Sequence, residues 1–280
     1  SGPAHGRRAG GCARNGRPPK SVEPSPFLEK KQIPGQEDRG VQGLQGFAGM
    51  KILAIDTASR SCSVAVCDDG SLQAEITDGS GETHSRHLMR MIARALEIAG
   101  DELQALDALA VNRGPGSFTG VRIGISTAKG LAAAAGVPLV GVSGLAALAW
   151  QAAPTPHEIC PMLDARRREV YSGRYRVTGG ELICLAPETV CAPEEALRQA
   201  ARPCVLIGDG AIAYRSRLEA VLNDDLLMPP PFQHTIRAGA IALAARLRVD
   251  RAENDLNCLV PKYLRPSYAK EPIDKSQGYR

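Results

Sequence analysis

The sequence predicts an α/β protein of two lobes built on mixed sheets, with the second lobe reduced. Three observations predict it. Residues 50–153 alternate short apolar runs with amphipathic stretches in the order β-β-β-α-β-α-β-α. The first run, "KILAID", is continuously apolar and closes on an acid, the pattern of a strand covered on both faces. Beyond residue 154 the alternation resumes in shorter, less regular pieces. The 280 residues, 44% of them hydrophobic, suffice for one large domain or two small ones.

The elements follow in order. "KILAID" is the first strand. "CSVAVCDDG" alternates and ends in a turn, and "SLQAEITD" follows as the third strand, so that Asp69-Gly70 makes a tight hairpin. These three strands form an antiparallel meander. "THSRHLMRMIARALEIAG" puts Leu88, Ile92, Ala95, Leu96 and Ala99 on one helical face, with Thr83 as N-cap and Gly100 as the stop. "LDALAVN" is the fourth strand. A glycine-rich loop then leads a long helix from about Thr119 to Ala135. "PLVGV" is the fifth strand, and Ser143 caps the next helix. In the second lobe "ICPMLDA", "EVYSGRYRV" and "LICLA" read as strands and "APEEALRQA" as a helix. "PCVLIGDG" reads as a strand ending in a Gly-Asp-Gly turn, and "IRAGAIALAARLRV" as a late helix. "LVPKYLRPSY" closes the fold, its prolines interrupting regular structure.

Charge and composition narrow the function. The formal charge of +4 sits in residues 1–49, which hold eight Lys/Arg and four Asp/Glu; residues 50–280 hold 26 of each sign. The folded body therefore has no net basic excess of the kind a protein that grips nucleic acid alone displays. Sixteen of the first 49 residues are Gly or Pro, and their apolar residues keep no period. This segment is expected to be a disordered extension, upstream sequence or an artefact, with the folded protein starting at Met50. The domains are expected at 50–153 and 154–280. No run approaches a membrane span. None of the eight cysteines forms a C-x-x-C pair, so reduced, buried thiols in a cytoplasmic protein are expected.

The strand order, with an acid ending the first strand, resembles the actin/sugar-kinase/Hsp70-like (ASKHA) class, a ribonuclease-H-like fold. "ILAIDTA", "THS", "GPGSFTGVRIGISTAKGLA" and "YLRP" are closer to one branch and resemble the TsaB (YeaZ) family. The likeness runs from Met50 to about Leu264, dense in the first lobe and thin in the second. It implies a subunit without catalytic residues of its own. That subunit is needed by its catalytic paralogue TsaD for threonylcarbamoyl transfer to the tRNA adenosine beside the anticodon. The implied partners are a TsaD-like catalytic paralogue, a TsaE-like ATPase, tRNA only through the complex, and a second copy of the chain when the partner is absent. The alternative is an enzyme of the sugar-kinase or carbamoyl-transfer type, dependent on ATP and Mg and acting alone.

The residues allow each reading to be weighed. Asp56, Thr57 and Ser59 could form a first phosphate turn, an acid for hydrated Mg²⁺ beside hydroxyl donors; the preferred alternative is an Asx-type turn closing a hairpin. Gly114, Gly116, Ser117 and Thr119 could cradle an anion at a helix N-terminus. Their spacing matches neither the P-loop nor the dinucleotide fingerprint. Weak ATP or ADP binding with Mg is thus conceivable, while no cofactor is required. Gly120, Gly124, Ala128 and Ala132 recur every four residues and form a stripe of small residues suited to close packing against the preceding helix or a partner. The expected subunit interface comprises His84, Leu88, Met91 and Ile92 on the first helix and Gly120, Arg122, Gly124, Ile125 and Ala128 on the second. His84 and His87 are three apart and lack a third ligand in sequence, so no metal is expected. "LDARRREVY" contains Asp164 and Arg166-Arg167-Arg168-Glu169, either an ordinary hairpin turn or charges presented to a partner or RNA.

Overall fold

A computed structural model describes residues 2, 49–81, 84–249 and 256–265. The readings of residues 3–48 as an unfolded extension and of Thr83 as an N-cap lie outside the described residues, as do the side chains of His84 and Ser85.

The first sheet has the order β3-β2-β1-β4-β5. Strands β1 (Lys51–Asp56), β2 (Cys62–Asp68) and β3 (Ser71–Asp78) form the expected meander. Its hairpin turn puts Asp69 at φ 48° and Gly70 at φ 77°, the left-handed pair that matches strand twist. β4 (Ala108–Asn112) and β5 (Leu139–Val142) add in parallel. Residues Ile52 to Ile55 of β1 are all apolar because helices cover both faces of this sheet. One face carries Leu53, Ile55, Val64 and Leu109 against α1 (His84–Ala99) and α2 (Phe118–Ala135). The other carries Ile52, Ala54 and Ala110 against α3 (Gly144–Gln151) and α6 (Ala238–Arg246). The helix termini follow their sequences. The Ser117 hydroxyl accepts from the Gly120 amide at 3.2 Å, Ser143 caps Leu145 at 3.2 Å, and Gly136 ends α2 at φ 72°. α2 thus starts at Phe118, one residue earlier than expected, because Ser117 takes the cap.

The second sheet, in the order β10-β9-β6-β7-β8, comprises β6 (Glu158–Asp164), β7 (Val170–Thr178), β8 (Glu181–Cys191), β9 (Cys204–Ile207) and β10 (Leu226–Leu227). It packs Ile159, Val205 and Ile207 on the far side of α3 and α6, which lie between the two sheets. Its outer face is covered by α4 (Asp209–Ala213) and α5 (Arg215–Leu222). Two expectations fail in this lobe. "APEEALRQA" makes only one 3₁₀ turn, Glu195–Leu197, because it buries a single large side chain, Leu197. The Gly-Asp-Gly turn is instead the start of α4. Small residues are needed there because the β6 backbone passes close by: a Cβ on Gly208 would lie 2.1 Å from the Met162 carbonyl oxygen. Among the described residues no helix is long and apolar enough to cross a membrane.

Cys62, Cys67, Cys160 and Cys204 are buried and free, whereas Cys184 and Cys258 are exposed, so the expectation of buried thiols holds only for part of the set. Burial pushes the Cys62 thiol up to about 12 and Cys67 to about 11, which keeps both protonated and unreactive.

Candidate functional site

The loop after β1 and the glycine loop before α2 meet at the mouth of an interlobe cleft of about 650 Å³. Ser59, Arg60, Gly116 and Ser117 line one wall; Asp164, Arg166, Asp209 and His234 line the other. The two loops are bonded to each other. The Ser117 amide donates to the Ala58 carbonyl at 2.7 Å, and the Thr57 hydroxyl donates to the Gly120 carbonyl at 2.7 Å. A Cβ on Gly116 would lie 2.3 Å from the Ala58 oxygen, and one on Gly120 2.0 Å from the Thr57 oxygen. The glycines therefore let one backbone approach another.

Asp56 is fully buried. Its carboxylate accepts from the Ala58 amide at 3.0 Å, the Ser59 hydroxyl at 3.1 Å and the Asn112 side-chain amide at 2.7 Å. Asn112 in turn accepts from the Gly114 amide at 2.9 Å, so one buried Asn ties the acid to the glycine loop. This donor set fits a structural Asx turn. The carboxylate that accepts these three bonds does not line the cleft. Asn112 went unnoticed in the sequence, although a polar residue closing the apolar run "ALAV" was the available signal.

The opposite wall holds a polar cluster that the sequence reading touched only at Asp164 and the residues Arg166 to Glu169 that follow it. The Asp164 amide donates to the Asp209 carboxylate at 3.0 Å, the Tyr214 hydroxyl donates to Asp164 at 3.3 Å, and Arg166 pairs with Asp164 at 3.3 Å. Burial, with the neighbouring Asp164 charge, raises the pKa of Asp209 above its ordinary value. Arg166, Arg167 and Arg168 occupy three successive left-handed positions, φ 62°, 54° and 64°. Such a run costs roughly 1–2 kcal/mol per residue. It is held by the Ala165 amide on the Glu169 carbonyl at 3.0 Å and the Glu169 amide on the Arg166 carbonyl at 3.0 Å. Arg265 adds a bond to the Ala165 carbonyl at 2.9 Å and an ion pair with Glu169. Among the described residues no three His, Cys, Asp or Glu side chains gather as a metal site.

The expected interface residues require a correction. Leu88, Met91, Ile92, Gly120, Gly124, Ile125 and Ala128 are turned into the chain's own core rather than toward a partner. The stripe of small residues lets α2 settle onto the first sheet: a Cβ on Gly124 would lie 2.4 Å from the Thr57 hydroxyl oxygen. Of the residues named for the interface, Arg122 alone among those with described side chains is exposed. The same helices instead expose Met89 (53%) and Ile98 (52%), on opposite flanks of the buried stripe of α1, and Phe118 (46%) at the start of α2. Arg122 lies 3.6 Å over the Phe118 ring, and Tyr263 stacks on that ring with centroids 5.2 Å apart.

Comparison with known proteins places these features. Residues 78–273 match the family model described as TsaD, tRNA N6-adenosine threonylcarbamoyltransferase. The chain is 32% identical over 231 residues to the Bacillus subtilis tRNA threonylcarbamoyladenosine biosynthesis protein TsaB, covering 81% of this chain and all of that protein. It is 40% identical over 168 residues to the Escherichia coli protein of the same name, covering 58% of this chain and 72% of that one. The solved structure of YeaZ from Pseudomonas aeruginosa superposes with a TM-score of 0.66 at 30% identity, covering 77% of this chain and all of the other. Full-length agreement is thus with proteins named TsaB or YeaZ, within a family model named for TsaD.

Proposed function

This chain belongs to the TsaB family of tRNA threonylcarbamoyladenosine biosynthesis proteins and takes part in that pathway, and we propose that it does so as the non-catalytic partner of a TsaD-like transferase. The observation that carries the proposal is the set of large apolar side chains that α1 and α2 leave exposed. Met89, Ile98 and Phe118 are large, exposed and mounted on two helices that cover the same face of one sheet. An exposed aromatic held rigid by Arg122 and Tyr263 is the kind of anchor that dominates an interface. The paralogous partner would present its matching helices, giving a pseudo-twofold pairing, and a second copy of this chain would take the same place when the partner is absent. A TsaE-like ATPase would complete the assembly, and tRNA would meet this chain only within it.

The reading of an ATP- and Mg-dependent enzyme acting alone is not favoured. The Asp56 carboxylate that such an enzyme would turn toward the metal is fully buried and already accepts three hydrogen bonds. The proposed role requires no nucleotide on this chain. A cytoplasmic setting accords with its free thiols.

Co-purification with the TsaD-like partner tests the proposal. The wild-type chain should elute as a complex. Met89→Asp combined with Phe118→Asp should abolish co-elution while the melting temperature stays that of the wild type. A complex retained by this folded double variant would overturn the assignment.

A further inference from the structure

We propose that the α1–α2 face selects its partner by charge: its cations fit an acidic helical surface on the TsaD-like paralogue and oppose a second copy of this chain. This rests on the reading that the chain is a subunit of that transferase. Arg86, Arg90 and Arg94 recur every four residues along α1, and all three are exposed. At about 3.6 residues per turn they climb the solvent side of the helix, between Met89 on one flank and Ile98 on the other. α2 adds the exposed Arg122 and the half-buried Lys129. The two helices thus carry five Lys/Arg against a single acid, Glu97, whereas residues 50–280 hold 26 charges of each sign. The excess is local to this face.

The pattern works against the isolated helix. Positive charge near a helix N-terminus opposes the macrodipole, yet the first turn of α1 has no acid and carries Arg86. Like charges four residues apart repel. Glu97 pairs with Arg94 at 2.7 Å, but that pair is exposed and contributes little. The use of the arginines lies across the interface. A groove of about 520 Å³ opens beside the stripe, lined by Ile76 and Met91 and by His87, Arg90, Arg94 and Glu97. Apolar and cationic groups are thus interleaved on one surface. A partner that covers both Met89 and Ile98 must also meet the arginines between them, and cations taken from water need carboxylates opposite. Acidic side chains at four-residue spacing on a facing helix supply them, in the geometry that guanidinium forks take bidentately. An RNA backbone would meet the arginines but would set charged phosphates against Met89 and Ile98. A two-fold self pair brings each patch against its own image, so cation faces cation. The second copy is therefore the weaker occupant of this face, and like charge is what weakens it.

The test is sedimentation velocity of the full chain, alone and with the TsaD-like partner, across a salt series. Rising salt should weaken the complex with the partner and strengthen the self pair, the opposite signs that screening gives to attraction and repulsion. Arg86→Glu plus Arg90→Glu puts acids in the early turns of α1, where the macrodipole favours them, so the variant should fold with an equal or higher melting temperature. Its affinity for the partner should fall roughly a hundredfold at low salt. Mixed with the wild-type chain, it should pair more tightly than the wild-type chain pairs with itself. Arg86→Lys plus Arg90→Lys should keep most of the affinity for the partner. Partner affinity unchanged in the folded Glu variant, or indifferent to salt in the wild type, would overturn the proposal. So would a Glu variant that assembles normally but costs the complex its tRNA binding, since the stripe would then face RNA. A wild-type chain that joins the partner at no salt concentration would overturn the subunit reading and this proposal together; a complex that forms and ignores the reversal overturns this proposal alone.

Discussion

Gly120 has no room for a side chain. A Cβ there would lie 2.0 Å from the Thr57 carbonyl oxygen, with backbone on both sides unable to give. Gly120→Ala should therefore destabilise the protein by roughly 3 kcal/mol, at the upper end of overpacking costs, and lower the melting temperature with no partner present. A glycine reserved for a partner would instead leave the isolated chain's stability unchanged. Asp209 gives the pH-dependent counterpart. Burial raises its pKa above the usual 3.8, so the folded state binds its proton more tightly than the unfolded chain. The unfavourable contribution is absent below the unfolded value and grows as pH rises through the raised one. Asp209→Asn should remove that loss: thermal denaturation should show the variant gaining on the wild type from about pH 4 upward. A constant difference across that range would refute the assignment.

At the scale of elements, α1 and α2 each divide their faces. The inner faces hold Leu88, Met91, Ile92, Gly124 and Ala128 against the first sheet; Met89 and Ile98 flank that stripe on α1, and Phe118 and Arg122 are exposed on α2. An aspartate forced into an apolar interface loses its hydration without a partner, at a cost of about 2 kcal/mol or more, or roughly 30-fold in affinity for each substitution. That is the magnitude expected for Met89→Asp or Phe118→Asp singly. The segment 256–265 acts as a strap across both lobes. Leu259 is buried beside Gly141, and the Lys262 amide donates to the Arg113 carbonyl at 2.7 Å. The Lys262 side chain pairs with the buried Glu188 of β8 at 2.8 Å, and Tyr263 stacks on Phe118. Through Arg265 the same strap reaches the 165–169 turn.

Across the whole molecule, the first lobe was legible because its signals are local. Continuous apolar strands, Asp69-Gly70, Ser117, Ser143 and Gly136 each specify their own geometry. The second lobe was less so. α4 and α5 form on tertiary support: α4 begins where Gly208 and Gly210 lie against the β6 backbone, a contact between residues about 46 apart that no window of sequence shows. The site was legible by residue type and misread by direction. A four-residue period identifies a stripe of small side chains on α2, yet it cannot say whether sheet or partner lies across from it. Asn112, Tyr214 and Arg265 join the site only through pairings 56, 50 and 100 residues distant. The central claim is that this chain enables a transferase without performing the chemistry. It is tested most directly by reconstituting threonylcarbamoyl transfer to tRNA with the TsaD-like partner, with and without this chain. The account predicts no transfer by this chain alone, transfer when both are present, loss with Met89→Asp plus Phe118→Asp, and full retention with Asp56→Asn in a chain that still folds and assembles. Transfer by this chain alone, or its abolition by Asp56→Asn in an intact complex, would contradict the account.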